Sequence, residues 1–190
     1  MSQRIELSSF LIIITLGILL LYSYYYLAIN NKNIINSLWG NLRHIKYLIP
    51  VYVGSMVLAA IGFLSALYYL YKTTSLTPYE KKRIPISLII IVCVSIFWMP
   101  LALNYLKLKN KTNFKTAYLK AAYLKAAYLK YAIIGVLSIV AFASLYSTVL
   151  LNTIKEKNYK LEQKTAIVGM SYFFIHTFFF DTVSWNYNFF

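Results

Sequence analysis

Two ionisable side chains, His176 and Asp181, stand in an otherwise apolar stretch near the C-terminus. An imidazole can take up or release a proton near neutral pH, and a carboxylate can pair with a cation. On a helix, Thr177, Asp181 and Ser184 fall on one face, whereas His176 lies about 140° around the axis from Asp181. This spacing predicts that His176 and Asp181 do not bond to each other directly.

Two interpretations of these residues stay open. In the first, His176 relays protons or binds a small ligand, and Asp181 sets a preference for cations. In the second, His176 bonds to a Ser, a Thr or a backbone carbonyl of another helix, and Asp181 lies where the apolar region ends. We favour the second interpretation, because one His and one carboxylate are too few groups for an effective proton relay. The candidate polar site within the membrane comprises His176, Asp181, Thr177, Tyr172, Ser184 and Asn104.

Residues for an enzyme are scarce. Metal sites in membrane enzymes need several His and carboxylate ligands at helical spacing, and the chain offers only two His with few carboxylates. A serine nucleophile needs a paired base and an oxyanion site, and Gly54 and Ser55 fit helix packing better. We therefore expect no enzyme activity, no metal and no cofactor.

Five apolar stretches must position these residues, and each is long enough to cross a bilayer. A hydrocarbon core of about 30 Å requires about 20 apolar residues in a helix. Once the stretches and their connections are counted, 190 residues leave no room for a separate soluble domain. The sequence predicts an all-α polytopic membrane protein, a single domain over 1–190 with a compact bundle of five transmembrane helices. The predicted spans are about 7–29, 47–71, 84–106, 131–154 and 165–185.

Three prolines lie within the predicted spans. Pro50 and Pro85 are expected at the entrances of the second and third spans, because the first turn of a helix leaves its N–H groups unpaired in any case. Pro100 lies deep in the third span and is expected to kink it between Trp98 and Asn104. Neighbouring helices must then bond to the carbonyl that the proline leaves free.

Small residues predict where helices approach closely. The second span carries four of them at helical spacing: Ser55, Ala59, Gly62 and Ala66. The fourth span offers a partner face: Gly135, Ser138, Ala141 and Ser144. We favour packing between these two spans within one chain over a homodimer seam, since a five-helix bundle must bury several such faces.

The only internal repeat, the pentad Ala-Tyr-Leu-Lys-Ala, runs in three copies from Ala117 to Tyr131, the third of which ends in Tyr instead of Ala. Its residues are strong helix formers, so we expect a helical extension that starts near Thr116 and continues into the fourth span. Its lysines wind around the axis: Lys115, Lys120, Lys125 and Lys130. They either bind anionic lipid headgroups or nucleic-acid phosphates, or belong to a duplicated tract that only lengthened a solvated helix. We favour the duplicated tract.

The net charge of +14 arises from 19 Lys and Arg against 5 Asp and Glu, and it favours anionic headgroups at the membrane surface. Lys and Arg are divided almost equally between the two sides, so they do not orient the chain. Frequent Ile, Lys, Asn and Tyr indicate an AT-rich genome, which is consistent with an organellar membrane or with a viral protein in a host endomembrane.

The string from Tyr52 to Leu58, Tyr-Val-Gly-Ser-Met-Val-Leu, resembles the glycine-containing helix of the subunit 6 family of respiratory complex I. That family also has five spans and a similar length, but its string belongs to the third helix, whereas here it opens the second. Two functions remain. The leading one is a non-catalytic structural or accessory subunit that binds lipid, membrane-protein partners or a second copy. The alternative is a small proton or ion transporter or channel using the last helix.

Overall fold

The computed structural model describes residues 5–45, 47–111 and 117–190, and it is all-α, as predicted. Six helices account for most of the described chain: α1 (Leu7–Asn30), α2 (Leu48–Lys72), α3 (Pro78–Ser95), α4 (Trp98–Lys111), α5 (Ala117–Thr153) and α6 (Lys160–Ile175). A π-helical segment (His176–Trp185) and a short helix (Asn186–Phe189) continue α6. Because α3 and α4 form one interrupted span, the helices supply five candidate membrane spans.

The five spans run alternately up and down through the bundle. The two ends of the bundle therefore hold different connecting segments. At the first end, α1 begins and the connections 73–77 and 154–159 lie close together. At the second end, a short helix (Lys32–Ile35) and a 3-10 segment (Asn36–His44) link α1 to α2, and the chain ends there too. Two separate clusters of buried side chains form the core, one centred on Leu70, Leu88 and Met170, the other on Tyr52, Leu103 and Trp185.

Two carboxylates hold the first end together. Glu156, only 7% exposed, accepts the Thr73 hydroxyl at 2.5 Å and the backbone N–H groups of residues 157–159. Glu80 accepts the backbone N–H of Thr77 and the Thr153 hydroxyl, each at 2.8 Å. These bonds join the ends of α2 and α5 to the start of α3, because each carboxylate bridges two of the connected elements.

The third span begins earlier than predicted. Thr77 and Glu80 form a capping box, and Pro78 occupies the first turn of α3. Pro85 therefore lies inside α3, and its assignment to the helix entrance was wrong. The capping signature Thr-x-x-Glu precedes the apolar run, and it decides where the helix begins, whereas the later proline does not. Pro50 does lie in the first turn of α2.

The expected kink near Pro100 is a full interruption, at Ile96 and Phe97. The Phe97 N–H donates to the Val94 carbonyl in a tight turn, and the α-helical pattern resumes with Leu101 donating to Phe97. The break precedes the predicted range because the proline ring clashes with the carbonyl four residues before it. Next to the break, the Tyr24 hydroxyl of α1 donates to the Ser95 carbonyl at 2.6 Å, one residue before the Ile96 carbonyl that the proline leaves free.

The small residues of α2 are buried within the chain, but their partner is α6 and not the fourth span. A Cβ added to Gly62 would lie 2.3 Å from the carbonyl oxygen of Gly169, so the two backbones touch at this point. The predicted partner was wrong because Gly169 was not counted as part of a small-residue face. The fourth-span residues Ala141 and Ser144 are buried against other helices.

The helical extension before the fourth span is confirmed. α5 runs without interruption for 37 residues from Ala117, through the repeat and into the membrane span. The predicted start near Thr116 lies outside the described residues. The repeat itself is helical from Ala117 onward, as its strong helix formers predict.

Candidate functional site

The π-helical segment His176–Trp185 brings the two ionisable groups together. Its backbone bonds join residues five apart, which places His176 and Asp181 on the same side. The His176 Nε2 atom lies 3.5 Å from Asp181 Oδ1, at ion-pair distance. The prediction that the two groups do not meet was wrong, because it assumed α-helical geometry through this segment.

Hydrogen bonds extend from this pair into α2. The Tyr52 hydroxyl donates to Asp181 Oδ1. On the other side of the imidazole, His176 Nδ1 lies 2.8 Å from the Ser55 hydroxyl, which is 2.9 Å from the Tyr172 hydroxyl. Tyr52, Asp181, His176, Ser55 and Tyr172 therefore form one continuous polar chain between α2 and the last span, which we call the polar chain.

A cavity of about 460 Å³ lies beside Asp181. It is formed by α1, the 3-10 segment, α2, the interrupted third span, α5 and the last span. Ser95, Trp98 and Met99 line it on either side of the break at Ile96 and Phe97. Asp181, with 21% of its side chain exposed, is the only carboxylate among the described residues that line the cavity.

Aromatic side chains form much of the cavity wall. Trp39 packs edge-on against Tyr52 with ring centroids 5.6 Å apart, and Trp98 packs against Trp185 at 5.3 Å and against Tyr24 at 5.8 Å. Trp185 is 2% exposed, and its indole N–H donates to the Leu38 carbonyl. Sequence reasoning missed Trp39, since the segment that carries it is polar overall.

The predicted site residues are only partly brought together. His176, Asp181 and Tyr172 belong to the polar chain, and Thr177 lines the cavity while donating its hydroxyl to the Phe173 carbonyl. Ser184 does not line the cavity, and Asn104 is exposed on α4 away from it. Asn104 lies on α4, beyond the break at Ile96 and Phe97.

The second interpretation expected a Ser, a Thr or a backbone carbonyl of another helix as the partner of His176. The structure shows such a partner, the Ser55 hydroxyl of α2. For Asp181, which the same interpretation placed where the apolar region ends, the structure describes a carboxylate that faces the cavity and the Tyr52 hydroxyl. Ser55 itself was assigned to packing. It is indeed buried on the small-residue face, but its hydroxyl is the link between His176 and Tyr172.

The lysines of the repeat are only partly placed. Lys125 is exposed, and the Lys130 ammonium lies 4.8 Å from the centroid of the Phe190 ring. Lys115 lies outside the described residues, as does the side chain of Lys120. Lys125 and Lys130 are thus the two repeat lysines whose surroundings the structure describes.

Ser55, His176 and Asp181 are the residue types of a hydrolase triad, but their surroundings do not suit nucleophilic catalysis. Ser55 is 4% exposed, does not line the cavity and already bonds to two partners. A nucleophile must reach its substrate beside a donor for the oxyanion. Within the described ranges, no three His, Cys, Asp or Glu side chains lie close enough to hold a metal ion.

The five long apolar helices define a multi-pass integral membrane protein. No family model, curated protein or solved structure matches the chain, so the seven-residue resemblance to the complex I subunit gains no support. The role of the protein must therefore be argued from its own site.

Proposed function

We propose that the protein moves a proton or a small cation along its last span. The observation that carries this proposal is the placement of Asp181, a carboxylate within the last candidate membrane span that faces a cavity and connects to the polar chain. Ionisable groups inside a membrane are costly, and they commonly mark ion or proton pathways. The cavity gives Asp181 access to a solute, and the polar chain gives protons a route between helices.

The polar chain has the chemistry of a proton relay. Each member has a group that can both accept and donate, or can be protonated: two phenols, a serine hydroxyl, an imidazole and a carboxylate. The imidazole contacts the chain through both ring nitrogens, so it can accept a proton on one and release one from the other. This bridging position makes His176 the central member of the proposed path.

Flux into liposomes tests the proposal. Purified protein would be reconstituted, and proton and potassium fluxes would be followed with dyes for the native chain, His176→Ala and Asp181→Asn. We expect the native chain to give flux above that of empty liposomes. In each variant, the proton flux, the potassium flux or both should fall about tenfold or more, because removing a buried polar partner costs about 1–3 kcal/mol.

A matched control is Glu162→Gln, the same type of change in the first turn of α6, away from the cavity. This control should conduct like the native chain. Folded protein without flux above empty liposomes would contradict the proposal, as would undiminished flux in both His176→Ala and Asp181→Asn.

The second candidate is a non-catalytic accessory subunit of a larger membrane assembly. It is favoured by α1, because only 6% of the most apolar stretch of this helix is buried by the rest of the chain. Such a surface can accept another membrane protein or a second copy, and the exposed Lys125 can bind anionic headgroups. This role predicts a defined complex larger than the monomer in mild detergent, with no flux from the purified chain.

A further inference from the structure

We propose that the cavity beside Asp181 is a binding site for a lipophilic organic cation. The site consists of the Asp181 carboxylate and the rings of Tyr24, Trp39, Tyr52, Trp98 and Trp185, which we call the aromatic cavity. This inference shares Asp181 with the proposed function and goes beyond it, because it names a ligand for the cavity in addition to the proton or small cation that moves along the last span.

The size and lining of the aromatic cavity favour an organic ligand. Its volume of about 460 Å³ lies in the range of sites for small organic molecules, and it greatly exceeds the space that one bare metal ion needs. Inorganic cations require several oxygen ligands in place of their water shell. Here the wall is mostly apolar, with side chains such as Met56, Leu137 and Val140. A ligand that brings its own apolar surface fits this wall better than a hydrated ion does.

The charge of the lining selects a cation. Asp181 is its one formally charged side chain, and no Lys or Arg is among the described residues that line the cavity. Tyr52 donates a neutral hydrogen bond to the carboxylate, and His176 approaches the same oxygen at 3.5 Å. An anion would meet the unbalanced carboxylate, whereas a cation would neutralise it in a medium of low dielectric.

The aromatic rings add a second attraction for positive charge. The face of an indole or phenol ring attracts a cation within about 6 Å, and Trp is the strongest of the three aromatic types. The five rings belong to five separate parts of the fold: Tyr24 to α1, Trp39 to the 3-10 segment, Tyr52 to α2, Trp98 to α4 and Trp185 to the π-helical segment. Ring contacts between these parts, such as Trp39 with Tyr52, fix the positions of the rings around the space.

A pair of ions with the same shape and opposite charge tests the inference. Binding of tetraphenylphosphonium and of tetraphenylborate to the purified full-length chain in detergent would be measured by equilibrium dialysis. We expect saturable binding of the phosphonium at one site, with at least about tenfold weaker binding of the borate. Equal affinity for both ions, or no saturable binding of the phosphonium, would overturn the inference without any variant.

Variants then locate the site. Asp181→Asn and Trp98→Leu should each weaken phosphonium binding about tenfold or more, while Glu162→Gln should leave it unchanged. Each variant must elute as a single species in size-exclusion chromatography. Native affinity in folded Asp181→Asn or folded Trp98→Leu would contradict the assignment to the aromatic cavity.

Different experimental results would contradict the two proposals. Saturable phosphonium binding without proton or potassium flux would support the ligand site and contradict ion movement through the last span. Flux that depends on His176 and Asp181, without phosphonium binding, would support the proposed function and overturn the ligand class.

Discussion

At the residue scale, the contacts of His176 allow one self-consistent arrangement of protons. If Nε2 carries its proton toward Asp181, then Nδ1 must accept from the Ser55 hydroxyl, and Ser55 in turn accepts from Tyr172. Tyr52 donates to the same carboxylate. All the hydrogens then point toward Asp181, so protonation of the carboxylate reverses the direction in which His176 can pass a proton.

The sequence predicts part of this residue set. His176 and Asp181 are recognisable because ionisable groups are rare within apolar stretches. Ser55 and Tyr52 are not recognisable, because a serine on a small-residue face and a tyrosine near a helix start are ordinary in membrane proteins. Their role depends on which helix packs against α2, and that is a property of the tertiary structure.

Glu156, in the connection between α5 and α6, gives a prediction about pH. Burial raises the pKa of its carboxyl, but the bonds from Thr73 and from three backbone N–H groups outweigh this, so the pKa falls below the ordinary value of 4.5. A lowered pKa in the folded state adds stability above the unfolded pKa, and this stability is lost as the pH falls through the folded pKa. Glu156→Gln should cost about 2 kcal/mol at neutral pH, with the difference shrinking below about pH 4.5.

Thermal unfolding in detergent over this pH range, followed by tryptophan fluorescence, would measure the effect. The control is Glu6→Gln, because Glu6 is exposed in its ion pair with Lys81 and exposed pairs contribute less than about 1 kcal/mol. A Glu156→Gln protein as stable as the native chain at neutral pH would show that the carboxylate does not hold the first end together.

At the element scale, two deviations from regular α-helix create the site. The break at Ile96 and Phe97 lies in a wall of the cavity, and the π-helical segment places His176 beside Asp181. The first deviation follows from Pro100 and is predictable in kind. The second carries no comparable signal, since no proline or glycine lies between His176 and Trp185. In the structure, the Thr182 hydroxyl donates to the Thr177 carbonyl within the segment.

The contact between Gly62 and Gly169 aligns α2 with α6, and with it the two sides of the polar chain. A methyl group at Gly62 would overlap the backbone of Gly169, which cannot move aside as a flexible side chain can. We expect Gly62→Ala to lower the free energy of unfolding by about 2 kcal/mol and to reduce flux, because Ser55 then moves away from His176.

Gly54→Ala is the matched control on the same helix, since an added Cβ there meets nothing within 4 Å. The control should be as stable as the native chain or slightly more so, because Ala favours helix over Gly by about 1 kcal/mol. Denaturant unfolding in mixed micelles would compare the two variants. Equal stability of Gly62→Ala and Gly54→Ala would exclude the close α2–α6 contact.

At the scale of the whole molecule, the two ends of the bundle differ in kind. The first end is fastened by Glu80 and Glu156, whereas the second holds the aromatic cavity. The 3-10 segment covers this second end, bonded through Leu38 to Trp185, and Gly40 adopts a positive φ of 49° where it meets the chain near Asn188. The number of spans follows from apolar length, but the fold of this polar connection onto the cavity depends on contacts with the C-terminal residues.

We expect a solute to enter the aromatic cavity from water, and we expect the cavity to prefer cations. Cysteine accessibility tests both expectations most directly, with the native cysteine removed as Cys93→Ala and a new one placed on α5. Val136→Cys lines the cavity, and Ile139→Cys, on the same helix, lies 49% exposed on its outer face. The reagents are a cationic and an anionic methanethiosulfonate of similar size, applied to reconstituted protein.

We expect Val136→Cys to react with the cationic reagent at least about tenfold faster than with the anionic one, because the Asp181 carboxylate attracts positive charge. We expect Ile139→Cys to react with neither reagent. No reaction at Val136→Cys, or equal rates with the two reagents, would contradict a cation-selective cavity open to water.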